Sequence, residues 1–202
     1  MSKPKVTYFD VNGGRAEPIR LAFFIGGIEF EDDRFPYADF AEVKKRTPLG
    51  QVPTLEMDGQ IITQSNAITS YVGKLAGLYP NDDFQALLCE EIMCSIEDVT
   101  TRIVGTFGLD GEALKTAREK LLNDYLIPHL KWLESKLSGN DYFIESRLTV
   151  ADLKVMAHLG WMQSGMLEHI PNTAIAQHTP ALNTYFSKLR QHPKITEYYQ
   201  NH

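Results

Sequence analysis

The chain has 202 residues, 43% apolar and 23% charged, ordinary usage for a globular protein of one or two domains and against global disorder. Lys plus Arg number 20 and Asp plus Glu 26, a formal net charge of −6, which argues against nucleic-acid binding and against docking on anionic lipid through a polybasic stretch. Two cysteines, Cys89 and Cys94, are too few for a disulfide scaffold or a cysteine-rich zinc module. Residues 1–10 carry no apolar signal core, and no apolar run approaches the ~20 residues of a membrane span. A soluble, cytoplasmic protein is the expectation.

In chain order, residues 5–9 read as a short strand, Val11-Asn12-Gly13-Gly14 as a turn, and residues 16–24 as a helix that tolerates Pro18 in its first turn and stops at Gly26-Gly27. Residues 28–32 alternate apolar and polar, as a half-buried strand does. A variable stretch, 35–51, follows. Segments 54–57 and 60–63 flank Asp58-Gly59, the signature of a type I′ hairpin. Ser65 is typed as an N-cap for a helix whose Ile68, Tyr71, Val72 and Leu75 fall at i, i+3, i+4 and i+7. The clearest composition break is Gly77-Leu78-Tyr79-Pro80-Asn81-Asp82-Asp83. It sets the expected organisation: an α/β domain over 1–78, a linker at 79–83 and an all-helical domain over 84–202.

Beyond the break, Phe84, Leu87, Leu88, Ile92, Ile96, Val99 and Ile103 form one long helical stripe. A helix over 112–137 should kink at Pro128. Thr149-Val150-Ala151-Asp152 fits a capping box opening an apolar helix with Leu153, Met156, Ala157 and Trp161. A last helix is expected after Thr179-Pro180, with Leu182, Tyr185, Phe186 and Leu189 on one face.

Few residues stand out as chemistry. Val52-Pro53 precedes the third strand, where a proline marks an edge, a strand start or a cis bond; a cis bond would leave the Val52 backbone free to pair with an extended peptide. Gln64-Ser65-Asn66 puts a helix N-terminus where a carboxylate could sit, against the plainer reading of Ser65 as a cap. Tyr8 at the end of the first strand is either packing or a functional hydroxyl. Cys89 and Cys94 lie about 500° apart around a helix and share no face. With no C-x-x-C and six scattered histidines, no metal site is expected. Glu90, Glu91, Glu97 and Asp98 read as a solvated helix face.

Taken together, Tyr8-Phe9, Gly14-Arg15-Ala16-Glu17-Pro18-Ile19-Arg20, Gly50-Gln51-Val52-Pro53, Asp58-Gly59, Gln64-Ser65 and Leu148-Thr149-Val150-Ala151-Asp152 resemble the cytosolic glutathione transferases, the sigma class most. The resemblance runs the length of the chain. It implies a thioredoxin-like N-terminal domain, an all-α C-terminal domain, a homodimer, a cis Pro53, and glutathione as co-substrate with a hydrophobic electrophile. Carried over, the γ-glutamyl carboxylate meets Ser65 and Gln64, the cysteinyl unit pairs with Val52, and the glycyl carboxylate meets Lys44 beside Phe40 and Gln51. Asp98 from the other subunit faces the ammonium group. Tyr8 donates to the sulfur with Arg15 close by, making these two the implied catalytic residues. The electrophile pocket is expected among Val11, Asn12, Gly14, Arg102, Thr106 and Phe107.

Three departures from the sigma pattern bear on these expectations. The Tyr8–Arg15 loop is one residue longer, Phe40 stands where a tryptophan is expected, and Gly105 stands where prostaglandin D synthases carry an aromatic wall. Conjugation of glutathione is the leading expectation. Glutathione-dependent isomerisation or peroxide reduction, and a non-catalytic S-crystallin-like scaffold, are the alternatives.

Overall fold

A computed structural model describes residues 3–201; residues 1–2 and 202, the outermost of the two expected domains, lie outside it. β1 (Lys5–Phe9) leads through a 3-10 turn (Gly14–Ala16) into α1 (Glu17–Ile25) and β2 (Glu31–Phe35). A short α2 (Phe40–Val43), flanked by 3-10 turns, precedes the hairpin of β3 (Thr54–Met57) and β4 (Gln60–Ile62), and α3 (Ser65–Leu75) closes the α/β part. The sheet order is β2-β1-β3-β4, with β1 and β2 parallel and the remaining pairs antiparallel.

β2 lies three residues beyond the alternating segment expected at 28–32. Apolar pattern gives way here to packing and charge pairing. Phe30 stacks on Phe23 with centroids 4.8 Å apart, so the segment before β2 serves the core instead of the ladder. The strand itself is Glu-Asp-Asp-Arg-Phe, held by Asp32 against Arg20 and Arg34 and by Asp33 against Thr7. The hairpin keeps its expected turn: Asp58 and Gly59 both have positive φ, 49° and 79°. In α3 only the Ile68–Val72 side of the expected stripe is buried, while Tyr71 and Leu75 are exposed.

The rest is helical: α4 (Asp83–Val104), α5 (Gly111–Leu121), α6 (Ile127–Leu137), α7 (Val150–Gln163), α8 (Ala174–His178), α9 (Pro180–Arg190) and α10 (Pro193–Asn201). Asp82 caps α4 by accepting from the Phe84 and Gln85 N–H groups. Its inward face is Cys89, Ile92, Met93, Ile96, Val99 and Ile103; Phe84 and Leu87 lie off that face, exposed. The helix expected over 112–137 divides at a π-helical turn, Leu122–Leu126. Pro128 lacks an N–H and its ring crowds the carbonyl four residues back, so the widening falls upstream of the proline. The expected last helix, α9, is followed by α10, whose buried residues are only Ile195 and Tyr198, too few to announce a periodic face.

Asp152 in the first turn of α7 is fully buried and satisfied. It accepts from the Thr149 N–H and hydroxyl, the Phe143 N–H and the Tyr185 hydroxyl. One hydrophobic cluster runs without a break from Val6 in the sheet to Tyr198 in α10. At the seam between the two parts, a Cβ on Gly73 of α3 would lie 2.6 Å from Val150 of α7, so only glycine permits that approach.

Candidate active site

β1 delivers Tyr8 to a loop that folds back over it. Arg20, a fully buried side chain of α1, donates through Nη1 to the Val11 carbonyl (2.8 Å) and through Nη2 to the Phe9 carbonyl (3.3 Å). Arg34 of β2 reaches Asn12 Oδ1 at 2.9 Å, and the Gly13 N–H donates to Glu17 Oε2 at 3.0 Å. Arg20 and Arg34 are themselves held by Asp32, at 2.8 and 2.6 Å. These partners hold the Val11–Gly14 loop in place, and Arg15 lies against Tyr8: its N–H donates to the Tyr8 hydroxyl at 3.2 Å. Gly14, with φ +66°, crosses directly over that hydroxyl, and a Cβ there would stand 2.7 Å from it.

Burial pushes the Tyr8 hydroxyl above its ordinary pKa, opposed by the Arg15 N–H and charge. Tyr8 therefore keeps its proton at neutral pH. The hydroxyl oxygen accepts from Arg15, and its proton has no acceptor among the described residues. That leaves one hydrogen-bond donor to offer an anion.

Arg15 and Glu97 link Tyr8 to the start of α3. Gln64, not Ser65, is the N-cap; it adopts φ 72°, ψ 100°, and its carbonyl takes the first helical bond, from Ile68. A non-glycine residue in this region is strained, and such strain concentrates at binding sites. Ser65 is the first helical residue, with its hydroxyl 3.4 Å from Glu97 Oε2 instead of on its own backbone. The N–H groups of the first turn have no intrahelical acceptor and carry the positive end of the helix dipole.

Glu97 of α4 joins these parts, which overturns its reading as part of a solvated face. Its Oε1 accepts from Arg15 Nε at 2.6 Å and its Oε2 from Lys154 Nζ of α7 at 3.0 Å. Lys154 also donates to Asn66 Oδ1. Burial works to raise the Glu97 pKa, but the Lys154 and Arg15 charges prevail and hold it below the ordinary carboxylate range. Glu90 is not solvated either: it accepts from the Ser70 and Tyr79 hydroxyls. Glu91 pairs with Lys136 at 2.7 Å, and Asp98 is exposed. Lys154 had one signal in the sequence, a lysine inside an otherwise apolar helix, which must find a buried partner.

Val52-Pro53 is cis, and Val52 sits outside the β3 ladder. Phe40 packs on Phe9, and Lys44 and Gln51 are exposed nearby in sequence. Beyond α4 the remaining candidates have partners of their own. Arg102 lies over the Tyr125 ring at 4.0 Å, and Phe107 meets Trp161 edge-on at 6.3 Å. Thr106 is turned inward, accepting from Arg118 at 3.0 Å. Cys94 is exposed, while burial pushes the Cys89 thiol up to about 12, leaving it inert. Among the described residues no group of three or more His, Cys, Asp or Glu is placed to hold a metal ion, and no helix is long and apolar enough to cross a membrane.

Comparison with known proteins identifies the arrangement. The glutathione S-transferase N-terminal domain model matches residues 4–74, and the glutathione S-transferase C-terminal domain model matches residues 97–202. Glutathione S-transferase 1 of Ascaris suum is 31% identical over 98% of this chain and 96% of its own length. Hematopoietic prostaglandin D synthase of Gallus gallus is 35% identical over 75% of each chain. The structure of prostaglandin synthase D of Nilaparvata lugens superimposes with a TM-score of 0.86 at 28% identity, over 98% of this chain and 97% of that one. The chain therefore belongs to the glutathione S-transferase family and is an enzyme of the transferase class.

Proposed function

We propose that this enzyme conjugates glutathione to hydrophobic electrophiles through a thiolate held by the Tyr8 hydroxyl. The observation that carries this reading is that hydroxyl itself: it stays protonated, it accepts from the Arg15 N–H, and its proton has no acceptor among the described residues. One charge-assisted hydrogen bond to sulfur favours thiolate over thiol by about 1.5–3 kcal/mol, or about one to two pKa units. That brings a thiol near neutrality, and the thiolate is the nucleophile. Arg15 adds a nearby positive charge.

The γ-glutamyl carboxylate is assigned to Ser65, Gln64 and the start of α3, and the cysteinyl unit to the Val52 backbone beside the cis Pro53. Lys44, with Phe40 and Gln51, takes the glycyl carboxylate. Asp98 is assigned to the ammonium group of a ligand held by a second copy. It shares an exposed seam of α4 with Phe84, Leu87 and Cys94, and that exposed, largely apolar face supports a homodimer. The sigma class, a cytoplasmic location and a role in detoxification complete the reading. Val11, Asn12, Gly14, Arg102, Thr106 and Phe107 are proposed to border the electrophile site, with Thr106 acting through the chain around it.

Glutathione-dependent isomerisation is the second reading, favoured by the similarity to proteins named prostaglandin D synthase. Peroxide reduction would use the same activated thiolate. A scaffold has no use for an uncommitted Tyr8 proton. Steady-state kinetics on Tyr8→Phe with a panel of electrophiles test the main reading: kcat should fall about 10- to 100-fold with a smaller change in glutathione affinity. An unchanged kcat would remove Tyr8 from the mechanism.

A further inference from the structure

We propose that Lys154 is a positioning residue for the ligand carboxylate at the start of α3, acting through Glu97 and Asn66. The inference rests on the glutathione reading above and assigns a residue of the helical part to that site.

α7 is buried along nearly its whole length, and Lys154 is only 4% exposed. Burying an ammonium group is costly unless partners compensate it. Two oxygens from different elements offset part of that cost here, Asn66 Oδ1 from the first turn of α3 and Glu97 Oε2 from α4, while burial still prevails and lowers the Lys154 pKa. The other Glu97 oxygen is taken by Arg15. One carboxylate therefore stands between two cations, and the three groups together carry a formal charge of +1. The dipole of α3 adds to that positive field.

The surroundings do not cancel it. His158 and His129 are held neutral by burial, and a second copy's Asp98, assigned above to the ligand's ammonium group, offsets that ammonium and leaves the carboxylate to this cluster. A single carboxylate arriving at Ser65 balances two cations with two anions. With Lys154 neutral, Arg15 and Glu97 would already form a closed neutral pair with less attraction for an incoming anion. Lys154 also fixes the side chain of Asn66, whose Nδ2 lies 3.5 Å from Cys94 Sγ. Lys154 thus sets the charge of a site it does not itself border.

The test is calorimetric titration of wild type and Lys154→Met with two ligands. One is glutathione; the other is 4-aminobutyryl-cysteinyl-glycine, which lacks the α-carboxylate of the glutamyl unit. Lys154→Met should weaken glutathione binding about tenfold and leave binding of the analogue unchanged. The double variant Lys154→Met/Glu97→Gln returns the cluster to +1 and should recover most of the lost affinity. It also removes the buried carboxylate if the single variant folds poorly. Equal weakening of both ligands, or no recovery in the double variant, would make Lys154 a purely structural residue and overturn the inference. Wild type that binds neither ligand would overturn the glutathione reading itself.

Discussion

Two partly buried charge clusters flank Tyr8, and they are balanced differently. On the sheet side, Arg20 and Arg34 face Glu17 and Asp32, two cations against two anions, with Asp10 reaching Arg34 only from the exposed rim at 3.6 Å. Arg20 and Arg34 Nη1 spend their other donors on the loop, Arg34 Nη2 has no partner among the described residues, and with its charges matched this cluster's work is to hold the loop. On the helical side, Arg15 and Lys154 share Glu97 alone. Similar residues at similar distances make a brace when the charges match and leave a net positive charge when they do not.

The sharpest way to break the closed cluster is Glu17→Ala. It strands the Gly13 N–H, leaves Arg20 short of a partner and removes the acceptor of the Tyr199 hydroxyl on α10. Removing one member of a buried ion cluster costs about 3–5 kcal/mol, read as a lower urea midpoint. A loss below about 1 kcal/mol would mean the loop does not depend on this brace.

Acid should weaken the other side. His158 is buried and His129 half-buried, with pKa values lowered by desolvation to about 3 and about 4. Neither ring nitrogen of His158 has a hydrogen-bond partner among the described residues. Between those values and the unfolded value near 6.5 only the unfolded chain takes up protons. The histidines should therefore lower stability as pH drops below 6.5, by about 1.4 kcal/mol per pH unit each, a contribution that stops growing below their folded values. Urea unfolding at pH 7.0 and 5.5 measures this, and His158→Leu should flatten the slope.

A smaller effect belongs to the loop over Tyr8. Gly14→Ala sets a methyl group against the hydroxyl and strains φ, so kcat should drop about tenfold while the α/β core stays folded by circular dichroism. Wild-type kcat would mean the loop swings clear of Tyr8 during turnover. Least of all should happen at the exposed Lys45–Glu42 pair, which has the same 2.6 Å separation as Arg15–Glu97. Glu42→Ala should leave the melting midpoint within error, because water already solvates both partners.

Much of the fold was legible because its signals are local. Asp58-Gly59 turns a hairpin wherever it stands, and Thr149 with Asp152 opens α7 through contacts three residues apart. β2 was misplaced because its stabilisation comes from Arg20 and Thr7, which alternation within residues 28–32 does not register. The candidate site divides the same way. Tyr8, Pro53 and Ser65 sit in short motifs that a linear reading singles out as candidates. Glu97 and Lys154 acquire meaning only when residues 15, 66, 97 and 154 converge, and no spacing along the chain encodes that meeting. Even Ser65 was half understood, since its hydroxyl points to Glu97 and Gln64 takes the cap.

The seam where Gly73 meets Val150 constrains how this enzyme can be recombined. The contact is too close for any side chain on α3, and the Val150 N–H is tied to the Leu78 carbonyl at 2.9 Å. A chimera taking its first 78 residues from one relative and the remainder from another inherits both surfaces of that fit from separate lineages. Such exchanges should assemble only when the glycine and its facing valine travel as a pair, so the two halves must be inherited together even where their chemistry is separable.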